Sequence, residues 1–151
     1  MFNIRRASIC DSKTLTNLAI ESESYWGYDY AFMEKFKSIY KVTEEFISNN
    51  PTYVIYEDKN IHGFYGVLIG ENKVSLEYLF IIPKSIGMGY GKSLWNHMLK
   101  TCEDLGIKEF EIVTSPKAKD FYVKLGAKPV GEVDSLVIKG RKIPRLIYTL
   151  K

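Results

Sequence analysis

The sequence is poor in the residues that build metal and disulfide frameworks. It has 2 cysteines, Cys10 and Cys102, in 151 residues. They lie far apart, with no C-x-x-C pair, which excludes a disulfide scaffold and fits reduced thiols in a cytoplasm. Cys10 reads as the end of a first strand and Cys102 as a buried helix residue, neither with a neighbouring base. The 2 histidines, His62 and His97, stand without clustered acids or thiols, so no metal is expected. They read as surface residues of a strand and a helix. No apolar run approaches the thickness of a bilayer, and the opening MFNIRRASIC lacks the apolar stretch of a signal peptide. A cytoplasmic location with no membrane partner is therefore expected. Charge of one sign is also lacking: 21 basic and 18 acidic residues leave a net +3. That balance is too mild and interspersed for a nucleic-acid partner, but it suits an anionic small ligand. Repeats, low-complexity tracts and flexible linkers are absent, so residues 1–151 read as a single domain.

What is present is a clear alternation of patterns. FNIRRA reads as a first strand. Leu15, Leu18 and Ala19 recur at helical spacing after a candidate cap at Asp11. Phe32, Phe36 and Ile39 mark one face of a second helix, and TEEFISNN a short helical turn capped by Thr43. Three hairpin-spaced strands follow, PTYVIYE, IHGFYGVLIG and VSLEYLFII, separated by DKN and ENK, which predicts an antiparallel meander.

After the meander comes PKSIGMGYGKSLW and then a helix. Leu94, Trp95, Met98, Leu99, Cys102 and Leu105 make its broad apolar face, with Gly106 as a left-handed cap. IKEFEIVTS is a fifth strand, parallel to its predecessor because a helix joins them. Ser115 and Pro116 read as N-cap and first residue of another helix, with Ala118, Phe121, Tyr122 and Leu125 inside and Gly126 at its end. KPVGEVDS and IPRLIYTL close the chain as strands. The order β-α-α-β-β-β-loop-α-β-α-β-β predicts an α+β domain with one mixed sheet.

The glycine loop is the strongest functional signal. Gly91-Lys92-Ser93 looks like the end of a triphosphate loop, G-x-x-x-x-G-K-[ST], but position 86, where the first glycine belongs, is Ile86. A dinucleotide fingerprint starting at Gly87 needs glycine where Lys92 stands, and the loop follows antiparallel strands. A P-loop nucleotide hydrolase therefore remains only a remote reading. The shared physics still holds: glycines let backbone N–H groups approach an anion, and a helix start at Tyr90 to Lys92 adds its positive end.

The segment LFIIPKSIGMGYGKSLW resembles motif A of the GNAT superfamily, the acyl-CoA N-acyltransferases. Ile81, Pro83, Gly89 and Gly91 take the motif's Val, Pro, Gly and Gly/Ala places, and Ile86 replaces the usual Gln or Arg. SPKAKDFYVKLGA resembles motif B through Ala118, Phe121, Tyr122, Gly126 and Ala127, with Ser115 replacing the usual Asn. The resemblance covers nearly the whole chain. It implies a mixed, mostly antiparallel sheet of six to seven strands with helices on both faces.

It also implies a function, namely transfer of an acetyl group from acetyl-CoA to a primary amine by direct attack in a ternary complex. A homodimer is compatible with it. The N–H groups of Gly87, Met88, Gly89, Tyr90, Gly91 and Lys92 would hold the pyrophosphate of coenzyme A. The backbone of Leu79, Phe80 and Ile81 would pair with its pantetheine arm, and Ser115, Ala118 and Tyr122 would line the same site. The Ile81 N–H is the candidate oxyanion donor and Tyr122 the candidate acid for the leaving thiolate, against a plain packing role for its ring on the inner helix face. Glu77, the carboxylate in an apolar strand, is the candidate base, placed by alternation beside Leu79 and Ile81. Tyr25, Trp26 and Tyr28 are candidate acceptor-side residues, against a plain packing role for the same aromatic cluster. Asp29 and Glu23 are acids able to attract a cationic acceptor, against the plain reading of ordinary surface acids. The rival of a different class is a non-catalytic acyl-CoA-binding domain.

Overall fold

The computed structural model describes residues 2–151. Seven strands form one sheet in the order β1-β2-β3-β4-β5-β7-β6. They are β1 (Asn3–Arg6), β2 (Thr52–Glu57), β3 (Asn60–Ile69), β4 (Val74–Ile81), β5 (Glu109–Val113), β6 (Lys128–Asp134) and β7 (Lys142–Thr149). All neighbours are antiparallel except β4 and β5, which run parallel as the helical connection requires.

The helices are α1 (Ser12–Ser24), α2 (Tyr30–Ile39), α3 (Glu44–Asn49), α4 (Tyr90–Asp104) and α5 (Lys119–Lys124). They divide between the two faces. Leu94, Trp95, Met98 and Cys102 of α4 and Tyr122 of α5 pack with Ile55, Tyr65, Val67, Leu76 and Leu146. Leu15, Leu18 and Ala19 of α1 and Ile47 of α3 pack with Val54, Phe64 and Tyr78. Successive residues such as Val54 and Ile55 thus belong to opposite cores, as strand alternation demands.

Local expectations hold at Thr43, whose side chain accepts from the Phe46 N–H, and at Gly106, with φ of +74°. Others are corrected. Asp11 does not cap α1; its carboxylate faces Ser8 and Arg5, where Ser8 and Asp11 form a capping box on the turn before the helix. Cys10 lies exposed in that turn, beyond the end of β1. The inner face of α2 is Met33 and Phe36, with Ile39 exposed, because the helix begins at Tyr30 and its stripe is rotated. Leu105 and Phe121 are exposed. His97 is half-buried, with its Nδ1 2.8 Å from the Tyr65 hydroxyl.

Ser115 and Pro116 do not start α5. Residues 116–118 form a turn in which the Ala118 N–H donates to the Ser115 carbonyl at 3.1 Å, and the helix begins at Lys119.

Trp95 anchors the larger core. It is buried and meets the rings of Phe110, Tyr122 and Tyr148 at centroid distances of 5.8, 5.9 and 5.1 Å. Trp95→Ala is expected to cost about 3–5 kcal/mol, read as a shifted midpoint in urea unfolding.

Candidate active site

Two breaks in the fold open the site. The first lies between β4 and β5, which pair only at Ser75 and Glu111 before separating. Beyond that point a cavity of about 520 Å³ opens, walled by Leu79, Phe80 and Ile81 on one side and Ile112 to Ser115 on the other.

The β3–β4 ladder decides which backbone groups face this gap. Ile82 N–H donates to the His62 carbonyl at 2.9 Å, and Gly63, Phe64 and Tyr65 lie opposite Ile81, Phe80 and Leu79. Antiparallel pairs alternate between exchanging both hydrogen bonds and exchanging none. Phe80 is therefore tied to β3, while the N–H and C=O groups of Leu79 and Ile81 point toward the gap. The expectation that Phe80 offers its backbone to a ligand is corrected on this ground. Its side chain still lines the cavity.

The second break is the glycine loop. Gly87 and Gly89 adopt φ of +87° and +85°, a left-handed conformation that an L side chain strains to reach. Gly89 is the N-cap of α4 and brings no side chain to cap it. The first bond of the helix runs from Ser93 N–H to the Gly89 carbonyl at 3.1 Å. Among the described residues, the N–H groups of Gly87, Gly89, Tyr90, Gly91 and Lys92 have no backbone acceptor. Met88 differs from the expectation, because its N–H turns back to the Ser85 carbonyl at 3.4 Å. Five amides and a helix N-terminus thus converge beside the gap, and Gly87, Gly89, Tyr90, Gly91 and Lys92 all line it.

Tyr122 packs its ring under Trp95 and is buried, yet it borders the cavity. Its hydroxyl has no hydrogen-bond partner among the described residues, and no fully buried side-chain oxygen is left unpaired. The hydroxyl is therefore open to the cavity. Burial pushes this phenol well above its ordinary range, and the charge of Glu23 adds to the effect. It stays protonated at neutral pH.

Glu77 lines the cavity but not by the expected alternation. Tyr78 pairs with Gly66 and Leu76 with Val67, so Glu77 is the extra residue of a bulge. Leu76, not Glu77, shares a core with Leu79 and Ile81. Glu77 is exposed at the cavity wall, and its carboxyl is raised by the surrounding protein and by Glu111, against the pull of Lys73. Ser115 and Ala118 are both in the lining.

The aromatic segment splits. Trp26 and Tyr28 line the cavity, whereas Tyr25 is 55% exposed, stands edge-on to Trp26 and does not. Lys117 ties this segment down: its Nζ donates to the Trp26 carbonyl at 2.6 Å and lies 4.7 Å from the centre of the Tyr28 ring. Phe32, Phe36, Tyr40 and Val137 complete an apolar end. Sequence reasoning missed Lys117 and these rings. It also passed lightly over Glu23, whose signal is plain. Leu15, Ala19 and Glu23 recur every four residues, so a carboxylate stands on the buried stripe of α1.

The sheet splits at its one parallel pair, and the amides at the start of α4 lie beside that split. The family model of the GNAT acetyltransferase domain matches residues 15–135. The chain belongs to the GNAT acetyltransferase family and is an acyltransferase enzyme. Among solved structures it is similar to the PaiA N-acetyltransferase of Thermoplasma acidophilum in complex with coenzyme A, with a TM-score of 0.81, 23% identity and 99% of each chain covered. A GCN5-related N-acetyltransferase of Rhodopseudomonas palustris gives 0.81 at 17% identity, covering 98% of this chain and 95% of that one. The N-acetylglutamate synthase of Neisseria gonorrhoeae, complexed with coenzyme A and N-acetyl-glutamate, gives 0.74 at 17% identity, covering 100% of this chain and 35% of that one. A sequence search of curated proteins returns no match. Among the described residues no helix is long and apolar enough to cross a membrane.

Proposed function

We propose that this enzyme moves an acetyl group from acetyl-CoA to a primary amine by direct attack in a ternary complex. The observation that carries the reading is the row of unpaired amides from Gly87 to Lys92 at the mouth of the β4–β5 gap. Such a row suits a pyrophosphate, and coenzyme A has one. It is also the ligand of the Thermoplasma and Neisseria relatives. The Leu79 and Ile81 backbone groups suit an extended amide-bearing arm, as an added strand would pair.

The thioester supplies the activated acyl group. The Ile81 N–H, unused by β3, stabilises the oxygen that gains charge as the amine attacks. Tyr122 donates a proton to the departing thiolate. Glu77 takes the proton released by the amine, directly or through water, because its place on a solvent-open bulge gives that proton an exit. With a raised Glu77 carboxyl, activity should rise with pH as the base deprotonates. Glu77→Gln is expected to lower kcat by about 10²-fold and flatten that limb. An unchanged acidic limb rules the base role out. Thiol release across a panel of primary amines tests the reaction itself; release with none of them supports a non-catalytic acyl-CoA-binding domain instead.

A further inference from the structure

The apolar end of the cavity holds one carboxylate that the mechanism above does not use. Glu23 sits in the last turn of α1 and lines the cavity with Trp26, Tyr28, Phe32, Phe36 and Tyr40. No side chain or backbone group donates a hydrogen bond to it among the described residues. The groups whose charges reach it come from three elements: Lys117 before α5, Tyr122 on α5, and Tyr40 at the end of α2. Glu77 on β4 acts on Tyr40 from the other side. Lys117 is already engaged by the Trp26 carbonyl and the Tyr28 ring. Glu23 is therefore a half-buried carboxylate lacking a hydrogen-bonded partner, set among aromatic rings and near the hydroxyl of Tyr122. A buried charge without a partner is costly to keep, and a ligand cation compensates it.

Resting on the acetyltransferase reading, we infer that Glu23 is the acceptor-binding residue, and that the acceptor is a monoamine with an apolar body. The carboxylate holds the ammonium and brings its nitrogen toward Tyr122, where the acyl group is transferred. The rings of Tyr28, Phe32 and Phe36 cover the apolar part. Lys117 and Arg141, both in the cavity lining, disfavour a second positive charge on the same ligand. The low-dielectric surroundings push the Glu23 carboxyl up to about 7, opposed by Lys117. Its charge, and with it the hold on an ammonium, is then gained as pH rises through that value.

The test uses 2-phenylethylamine as acceptor, with 1,4-diaminobutane for comparison, and thiol release as the readout. Glu23→Gln is expected to raise the KM for 2-phenylethylamine by about tenfold or more while kcat stays within a few-fold. In the wild type that KM should fall as pH rises through about 7, and in the variant it should be flat. Gln removes a half-buried charge that no described group hydrogen-bonds and keeps the shape, so the variant should melt no lower than the wild type. Glu23→Asp, which keeps the charge, should recover part of the affinity. A KM within twofold of wild type in Glu23→Gln, or an unchanged pH dependence, overturns the assignment. Better use of the diamine, or no turnover of 2-phenylethylamine by a wild type that binds acetyl-CoA, overturns the acceptor class. Failure to bind acetyl-CoA at all would instead sink the acetyltransferase reading.

Discussion

Replacing Tyr122 by Phe should lower turnover by about 10²–10⁴-fold at saturating substrates, with little change in acetyl-CoA affinity or in stability. The ring makes the packing contacts, against Trp95 and Phe121 at 5.9 and 5.2 Å between centroids, and Phe keeps them. Among the described residues the hydroxyl makes no hydrogen bond that Phe would break. The substitution therefore removes one thing, a proton donor facing the cavity. A turnover equal to wild type would end the assignment, and a matching fall in melting temperature would mark the hydroxyl as structural.

The second large effect is expected at a backbone amide. Ile81→Pro deletes one N–H, and the ladder shows that β3 does not use it. Proline is tolerated in a strand when its missing donor faces away from the ladder, and Phe80 before it is already extended. The loss should appear in kcat, by about 10²–10³-fold, the magnitude found when one oxyanion donor is removed. Ile81→Ala keeps the amide and removes the side chain's share of the core, so it controls for packing. Proline and alanine variants equally active would show that this amide does not stabilise the reacting oxygen.

The elements near these residues were mostly legible because their signals are local. The apolar stripe from Leu94 to Cys102 needs only a helix to explain it, and Thr43 caps a helix three residues before its partner amide. What was hidden depends on partners distant in sequence. The place of Glu77 turns on a bulge set by how Gly66 and Val67 meet the opposite strand, so simple alternation puts it on the wrong face. The late start of α5 reflects a turn at 116–118 that borders the gap, where a cap signal at Ser115 is overridden. The density of aromatics at residues 25–30 signals only part of the cavity's apolar end, which also draws on Phe32, Phe36 and Val137, brought together only when the β6–β7 connection packs on α2. Glu23 was readable in principle, as a charge on a buried stripe, and its meaning came from the cavity it faces.

On the proposed function, the glycine loop holds the pyrophosphate of acetyl-CoA. Isothermal titration of the wild-type protein with acetyl-CoA, and separately with ATP and magnesium, tests it most directly. Saturable one-to-one binding of acetyl-CoA is expected, with no saturable binding of the nucleotide. Saturable binding of ATP and magnesium with none of acetyl-CoA would contradict it.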